Sequence, residues 1–315
     1  MPGFLIRRLV MLLGTLVVSS FVIYSALYLA PGNPIATLTG GRTPTPEAIA
    51  ILEERYHLNE PFLTRYWDWL VAVLHGDFGV SIPLHQDVST LIAERMGITA
   101  SLVLYAAVII LVVGIGSGIL AALRPGLIDS SVIIGSTISA ALPSFIAAIV
   151  LLLVFAVQLG WFPAFGPGAG GLDRIYHLTL PAVALAFASL AIVARVTRAS
   201  VRDELQREHV QTATSRGIPR HLVIRRHVLR NAAIPISTVA GLTIASLIAL
   251  SAIVERAFAL NGLGSYLIQA ALSKDFAVVQ GISLVLVMAF VITNTIVDIL
   301  YALLDPRVKL GERAT

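Results

Sequence analysis

The residue types with chemical reach are few and widely spaced. Seven histidines stand at positions 57, 75, 85, 177, 209, 221 and 227, and there is no cysteine. No two histidines have the His-Glu-x-x-His spacing of a helical zinc site, so no metal ligand set is expected. The lack of cysteine removes disulfides, thiolate ligands and thiol nucleophiles. Lysine occurs only as Lys274 and Lys309 and neither follows a glycine, so the phosphate-cradling Gly-x-x-x-x-Gly-Lys-Ser/Thr pattern is missing. If the chain works with ATP, another polypeptide binds it. No catalytic residue is expected: a hydrolase inside a membrane would pair serine with histidine, and no histidine falls within an apolar run. What remains is Glu255 at the edge of one apolar run, and Asn294 and Asp298 within another. A carboxylate at the bilayer centre costs about 2.5–3.5 kcal/mol, so Asp298 should face other helices or water. A proton relay is the sharp reading, and a contact at the helix end is the expectation. For Glu255 the expectation is a local pair with Arg256, and the alternative is a place lining an outer vestibule.

These groups are set in a chain that is 57% hydrophobic and 13% charged, with mean hydropathy +0.87. A soluble domain carries roughly 25% charged residues. Lipid must therefore act as solvent for much of this surface. Six apolar runs, near 9–30, 99–123, 132–158, 178–197, 233–254 and 279–303, reach the roughly 20 helical residues that cross a bilayer. Each must be a helix, because lipid offers no partner for backbone N–H and C=O groups. The run near the N-terminus follows Arg7 and Arg8 and is too long for a cleaved signal core. With both termini inside, 15 Lys and Arg fall on cytoplasmic segments against 7 on outer ones, the bias expected of a membrane protein. In the third run Pro143 can kink the helix beside Ser136, Thr137, Ser139 and Ser144. Pro143 and Ser144, with Glu255, Asn294 and Asp298, are the candidates for a pathway or gate. In the second run Gly114, Gly116 and Gly118 would let another helix approach closely.

The most basic stretch between apolar runs is 198–235. It carries Arg198, Arg202, Arg207, Arg216, Arg220, Arg225, Arg226 and Arg230 against Asp203, Glu204 and Glu208. Its pattern predicts a helix from Glu204 to Ser215, a stop at Gly217, and a second short helix opened by Pro219. Asn231 and Pro235 mark the start of the next span. The two helices would lie along the membrane surface. Nucleic-acid binding is not expected, because no aromatic residue is present for base stacking.

Between the first two runs lies a polar outer segment, 31–98. Thr45-Pro46-Glu47 predicts a helix toward Leu58, and Pro61 predicts a second, ended by Gly76. Tyr66, Trp67 and Trp69 suit a membrane–water boundary.

Glu208-His-Val-Gln-Thr-Ala-Thr-Ser-Arg-Gly217, followed by Arg225-Arg-His-Val-Leu-Arg-Asn-Ala-Ala-Ile-Pro235, resembles the cytoplasmic "EAA" loop of ABC importer membrane subunits, in the dipeptide/oligopeptide permease variant. The Glu-Ala-Ala signature falls on Gln211, Thr212 and Ala213, its glycine on Gly217, and a frequent acid on Glu208. Residues 56–81 resemble the outer segment of that family, with Phe78 at its usual leucine. His177 and Pro181 fit its His-Leu-x-Leu-Pro start of the fourth span. Glu255, Phe258 and Gly262-Leu-Gly264 fit its passage after the fifth, with Asn261 at its proline. The resemblance runs through nearly the whole chain in the same order.

It implies an all-α membrane protein of the type I ABC importer class, with six transmembrane helices, both termini cytoplasmic and an extended outer segment. The units would be 1–30, 31–98, a core of 99–303 including a coupling loop at 198–232, and a tail of 304–315. It implies a multi-pass protein of the bacterial plasma (inner) membrane forming half of a translocation pathway for peptides. The loop 206–217 would seat on an ATPase. The implied partners are a second homologous permease, two ATP-binding subunits that hold ATP and magnesium, an extracytoplasmic substrate-binding protein, and lipid. Relatives for nickel, glutathione, haem or oligosaccharide are the alternative. A proton-coupled carrier is the rival from another class. It would want paired intramembrane carboxylates or an inverted repeat, and the sequence offers Asp298 and no repeat.

Overall fold

Apolar runs with internally bonded backbones fold as helices, and helices dominate this computed structural model, which describes residues 2–29 and 60–304. The helix expected from Thr45 toward Leu58 and the tail beyond Leu304 lie outside the described residues. In chain order the helices are α1 (Pro2–Leu29), α2 (Phe62–Leu74), α3 (Val88–Leu123), α4 (Leu127–Ala141), α5 (Ser144–Gln158), α6 (Gly171–Leu205), α7 (Glu208–Ser215), α8 (Arg220–Ala257), α9 (Leu263–Leu272) and α10 (Phe276–Leu304). A short hairpin precedes α3, with Val80–Ser81 (β1) paired antiparallel to Gln86–Asp87 (β2).

Among the described residues five helices are long and apolar enough to cross a membrane, or six if α4 and α5 count as one broken span. That break departs from the sequence reading. A kink was expected at Pro143, but the chain turns by 104° between α4 and α5. Leu142 and Pro143 are both extended, with ψ 117° and 145°. Proline favours such a break, because it lacks the N–H and disfavours a helical residue before it. Prolines do not always act this way: Pro181 and Pro235 sit inside α6 and α8. α3 begins at Val88 rather than near 99, because Val88, Leu91 and Ile92 are buried against α9 and α10.

α6 is the central helix, packed by α3, α4, α5 and α8. Its buried residues Leu178, Ala182, Leu185, Ala186 and Val193 join Leu102, Ala106 and Ile110 of α3 and Ala240, Leu247 and Val254 of α8 in the main core. Small residues bring α3 and α6 together. A Cβ on Gly118 would lie 2.6 Å from the Ala194 carbonyl and the Thr197 Cβ. Gly114 also faces α6, whereas Gly116 meets nothing within 4 Å.

α2 lies where Pro61 and Gly76 predicted. Two of its aromatics pack against α1. Tyr66 is buried and shares a hydrogen bond of 2.9 Å with Ser20 of α1, and Tyr66 and Trp69 stack around Tyr24. Trp67 alone of the three expected boundary aromatics is largely exposed.

Candidate functional site

The predicted loop folds around α7. α6 runs on to Leu205, and a turn at Gln206–Arg207 separates it from α7, so the helix expected from Glu204 is broken in two. The break lets α7 turn its apolar side back onto the bundle. Val210 and Ala213, three residues apart on one face, are buried with Ala122, Val201, Val223, Val228, Ala232 and Ile236. Ala213 is therefore an anchor. Glu208, Gln211 and Thr212 are exposed on the other side.

The helix ends in a Schellman motif. Ile218 N–H donates to the Ala213 carbonyl at 3.3 Å and Gly217 N–H to the Thr214 carbonyl at 3.0 Å. Gly217 has φ +72°, and a Cβ there would meet nothing within 4 Å. Its glycine is needed for backbone conformation and not for space. Pro219 then caps the next helix as expected. The second helix is not a short surface piece. It is the start of α8, continuous through a π-helical turn at Ile224–Val228 and past Pro235.

Polar contacts fix the corner where α6, α7 and α8 meet. Glu204 accepts from Asn231 Nδ2 at 2.9 Å and lies 3.1 Å from His209 Nε2. His209 and His227 rings are 6.4 Å apart. At the start of α4, Asp129 is held by the Arg198 guanidinium through two contacts and by Arg202 Nη2 at 2.9 Å. Sequence reasoning passed over Asp129. Its signal was an acid at the head of an apolar run, directly after the Arg124-Pro125-Gly126 turn and facing a basic stretch.

The pathway candidates scatter. Pro143 forms the break and Ser144 opens α5 half-buried. The neighbouring hydroxyls are engaged by backbone: Ser136 and Thr137 donate to the Ile133 carbonyl, and Ser139 donates to the Phe187 carbonyl of α6 at 2.6 Å. Asn294 is half-buried with no side-chain hydrogen bond among the described residues. Asp298 pairs with Arg8, its Oδ2 2.6 Å from Nη1.

Glu255 corrects the sequence reading. It neither pairs with Arg256 nor lines a vestibule. It is fully buried, accepting from Thr99 Oγ1 at 2.7 Å and from the Ser265 N–H at 2.9 Å. The reason is tertiary: the chain reverses at Phe258–Gly262 and lays the N-terminus of α9 on the carboxylate. His177 Nδ1 lies 3.1 Å from the Gly166 carbonyl. Among the described residues no three His, Cys, Asp or Glu side chains group as a metal site.

A bundle of long apolar helices, with one small polar-faced helix anchored at its end, fits the membrane subunit of a transport system. The comparisons agree. Residues 114–310 match the family described as binding-protein-dependent transport system inner membrane component, and residues 1–103 match that family's N-terminal region. The chain belongs to this family and is a multi-pass inner-membrane ABC importer subunit. It is 36% identical to the oligopeptide transport system permease protein AppB of Bacillus subtilis (strain 168), over 98% of this chain and 100% of that one. It is 32% identical to the dipeptide permease DppB of Alkalihalophilus pseudofirmus and to the oligopeptide permease OppB of Escherichia coli (strain K12), with 98% of this chain and 100% of each relative covered. A solved inward-facing methionine ABC transporter, MetNI, shares the fold at TM-score 0.53 and 17% identity, covering 68% of this chain and 96% of its own.

Proposed function

We propose that this chain forms half of a peptide translocation pathway and passes the ATPase cycle to its helices through α7. The observation that carries the reading is the two-sided α7. Val210 and Ala213 fix it to the bundle, while Glu208, Gln211 and Thr212 are exposed on the outer face, open to a separate subunit. The names of the full-length relatives support peptides as cargo.

In this reading α7 and both chain ends are cytoplasmic, in keeping with the Lys and Arg bias. Two ATPase subunits bind ATP and magnesium and seat α7, a second homologous permease completes the pathway, and a substrate-binding protein delivers cargo from outside. Closure of the ATPases pushes α7. Because α7 sits on a shared apolar cluster with α3, α6 and α8, the push moves helices as rigid bodies and switches access. The chain itself performs no covalent chemistry.

Gentle detergent extraction from the native membrane, followed by identification of what comes with the chain, tests this. ATPase subunits and a second permease should co-purify and be lost when 206–217 is altered. A chain that emerges alone and moves solute down a proton gradient would end the proposal.

A further inference from the structure

At the end of the bundle away from α7, three contacts cross from the limb 79–99 to α9 and the head of α10. Ser81 Oγ donates to Asp275 Oδ2 at 2.5 Å. The Arg95 guanidinium sits 4.1 Å above the Tyr266 ring. Thr99 Oγ1 donates to Glu255 Oε1 and accepts the Leu263 N–H at 2.8 Å. Glu255 of α8 completes the set through the Ser265 N–H.

The two carboxylates share an unusual setting. Glu255 is 0% and Asp275 3% exposed, and neither has a cationic partner among the described residues. Each accepts one hydroxyl from the limb and faces amides at a helix start, Ser265 in the first turn of α9 and Val278 in that of α10. Those amides lack helical partners and carry the positive end of the helix dipole, which favours an anion. The partners of each carboxylate lie on different elements, so each is satisfied only while those elements stay together. Separation would leave a buried charge without compensation.

Resting on the transport reading above, we propose that Glu255 and Asp275 are positioning residues that weld the limb 79–99, α9 and the head of α10 into one body, which keeps its internal geometry while the transporter cycles. The relative motion falls outside this body, and the Leu142–Pro143 break offers the backbone a place for it.

The chain has no cysteine, so a cross-link can be placed cleanly. A Cβ on Gly79 would lie 3.8 Å from the Ala277 Cβ, the usual separation across a disulfide. Gly79→Cys with Ala277→Cys is made in the full complex, with Gly79→Cys alone as control for the positive φ at that position. The pair should oxidise at rates within about twofold in nucleotide-free and ATP-trapped complexes, and oxidised transporter should take up peptide within about twofold of its reduced form. A tenfold difference in oxidation between the two states overturns the weld, as does uptake that is lost on oxidation and regained on reduction. Glu255→Gln should lower uptake per assembled complex about tenfold, and the cross-link should restore most of it. Wild-type uptake in assembled Glu255→Gln removes Glu255 from the weld. If that variant fails to assemble, the disulfide arm decides, since it leaves both carboxylates in place. Equal oxidation in both states with no peptide uptake by the unmodified complex sinks the peptide reading and leaves the weld standing.

Discussion

Arg8 and Asp298 form an ion pair, Nη1 to Oδ2 at 2.6 Å, that joins α1 to α10 with each side chain about a third exposed, 35% and 37%. The pair gives a membrane-buried acid a partner, where the sequence alone offered a proton relay or a helix-end contact. α1 otherwise shows lipid a largely exposed apolar surface. A further polar tie is the Ser20–Tyr66 hydrogen bond to α2.

If Asp298 serves structure, Asp298→Asn should keep ATP-driven uptake and leave its pH profile in place. Loosening of α1 should appear as faster proteolysis. Exchange of the two charges, Arg8→Asp with Asp298→Arg, should recover the loss. A pH optimum that moves in Asp298→Asn would restore the relay reading.

Gly217 is tested by conformation. Alanine at φ +72° costs roughly 1–2 kcal/mol, though space is free, so Gly217→Ala should weaken coupling and Gly217→Asn should weaken it less. The measurement is peptide taken up per ATP hydrolysed. Equal ratios in wild type and Gly217→Ala would show that α7 needs no fixed end.

The two faces of α7 should separate in mutagenesis. Ala213→Leu overfills the cluster with Val210 and Val228 and should cost about 1–3 kcal/mol of stability. Gln211→Ala and Thr212→Ala should leave the melting temperature unchanged and lower co-purification of the ATPase. A thermal scan beside a pull-down reads both. The reverse pattern would mean that α7 is turned the other way.

Asp275 predicts a pH dependence. Burial pushes its carboxyl above the ordinary value of 3.8, against the hydrogen bonds from Ser81 and the Val278 amide, which lower it. The folded chain then holds the proton more tightly than the unfolded chain. This contribution to stability is largest below pH 3.8 and falls as pH rises through the raised folded value. Asp275→Asn should flatten the melting curve of the solubilised complex over that window. An unchanged pH slope in the variant would refute the assignment.

Close helix approach gives the last prediction. A methyl on Gly118 would meet the Ala194 carbonyl and Thr197 at 2.6 Å, so Gly118→Ala should cost about 1–3 kcal/mol. Gly116→Ala, with open space, should be close to neutral or mildly stabilising. Melting temperatures of the two variants measure the difference.

The sequence by itself determined the elements and the outline of the site. Apolar run length set where the long helices lie, because a helix in lipid must satisfy its own backbone. Pro61 and Gly76 set α2. Gly217 and Pro219 set the end of α7 and the start of α8, because turn chemistry depends on near neighbours and stays readable along the chain. Only the tertiary structure decided what each polar group does. It put Glu255 against Thr99 and Ser265 rather than Arg256, gave Asp298 to Arg8 at the other end of the chain, and set Asp129 between two arginines of α6. It turned Ala213 inward and Thr212 outward, and widened an expected kink into a turn of 104°. A charge or hydroxyl inside a helix bundle takes the partner that packing brings within about 3 Å, and that partner is fixed by how distant elements meet rather than by the residues beside it in the chain.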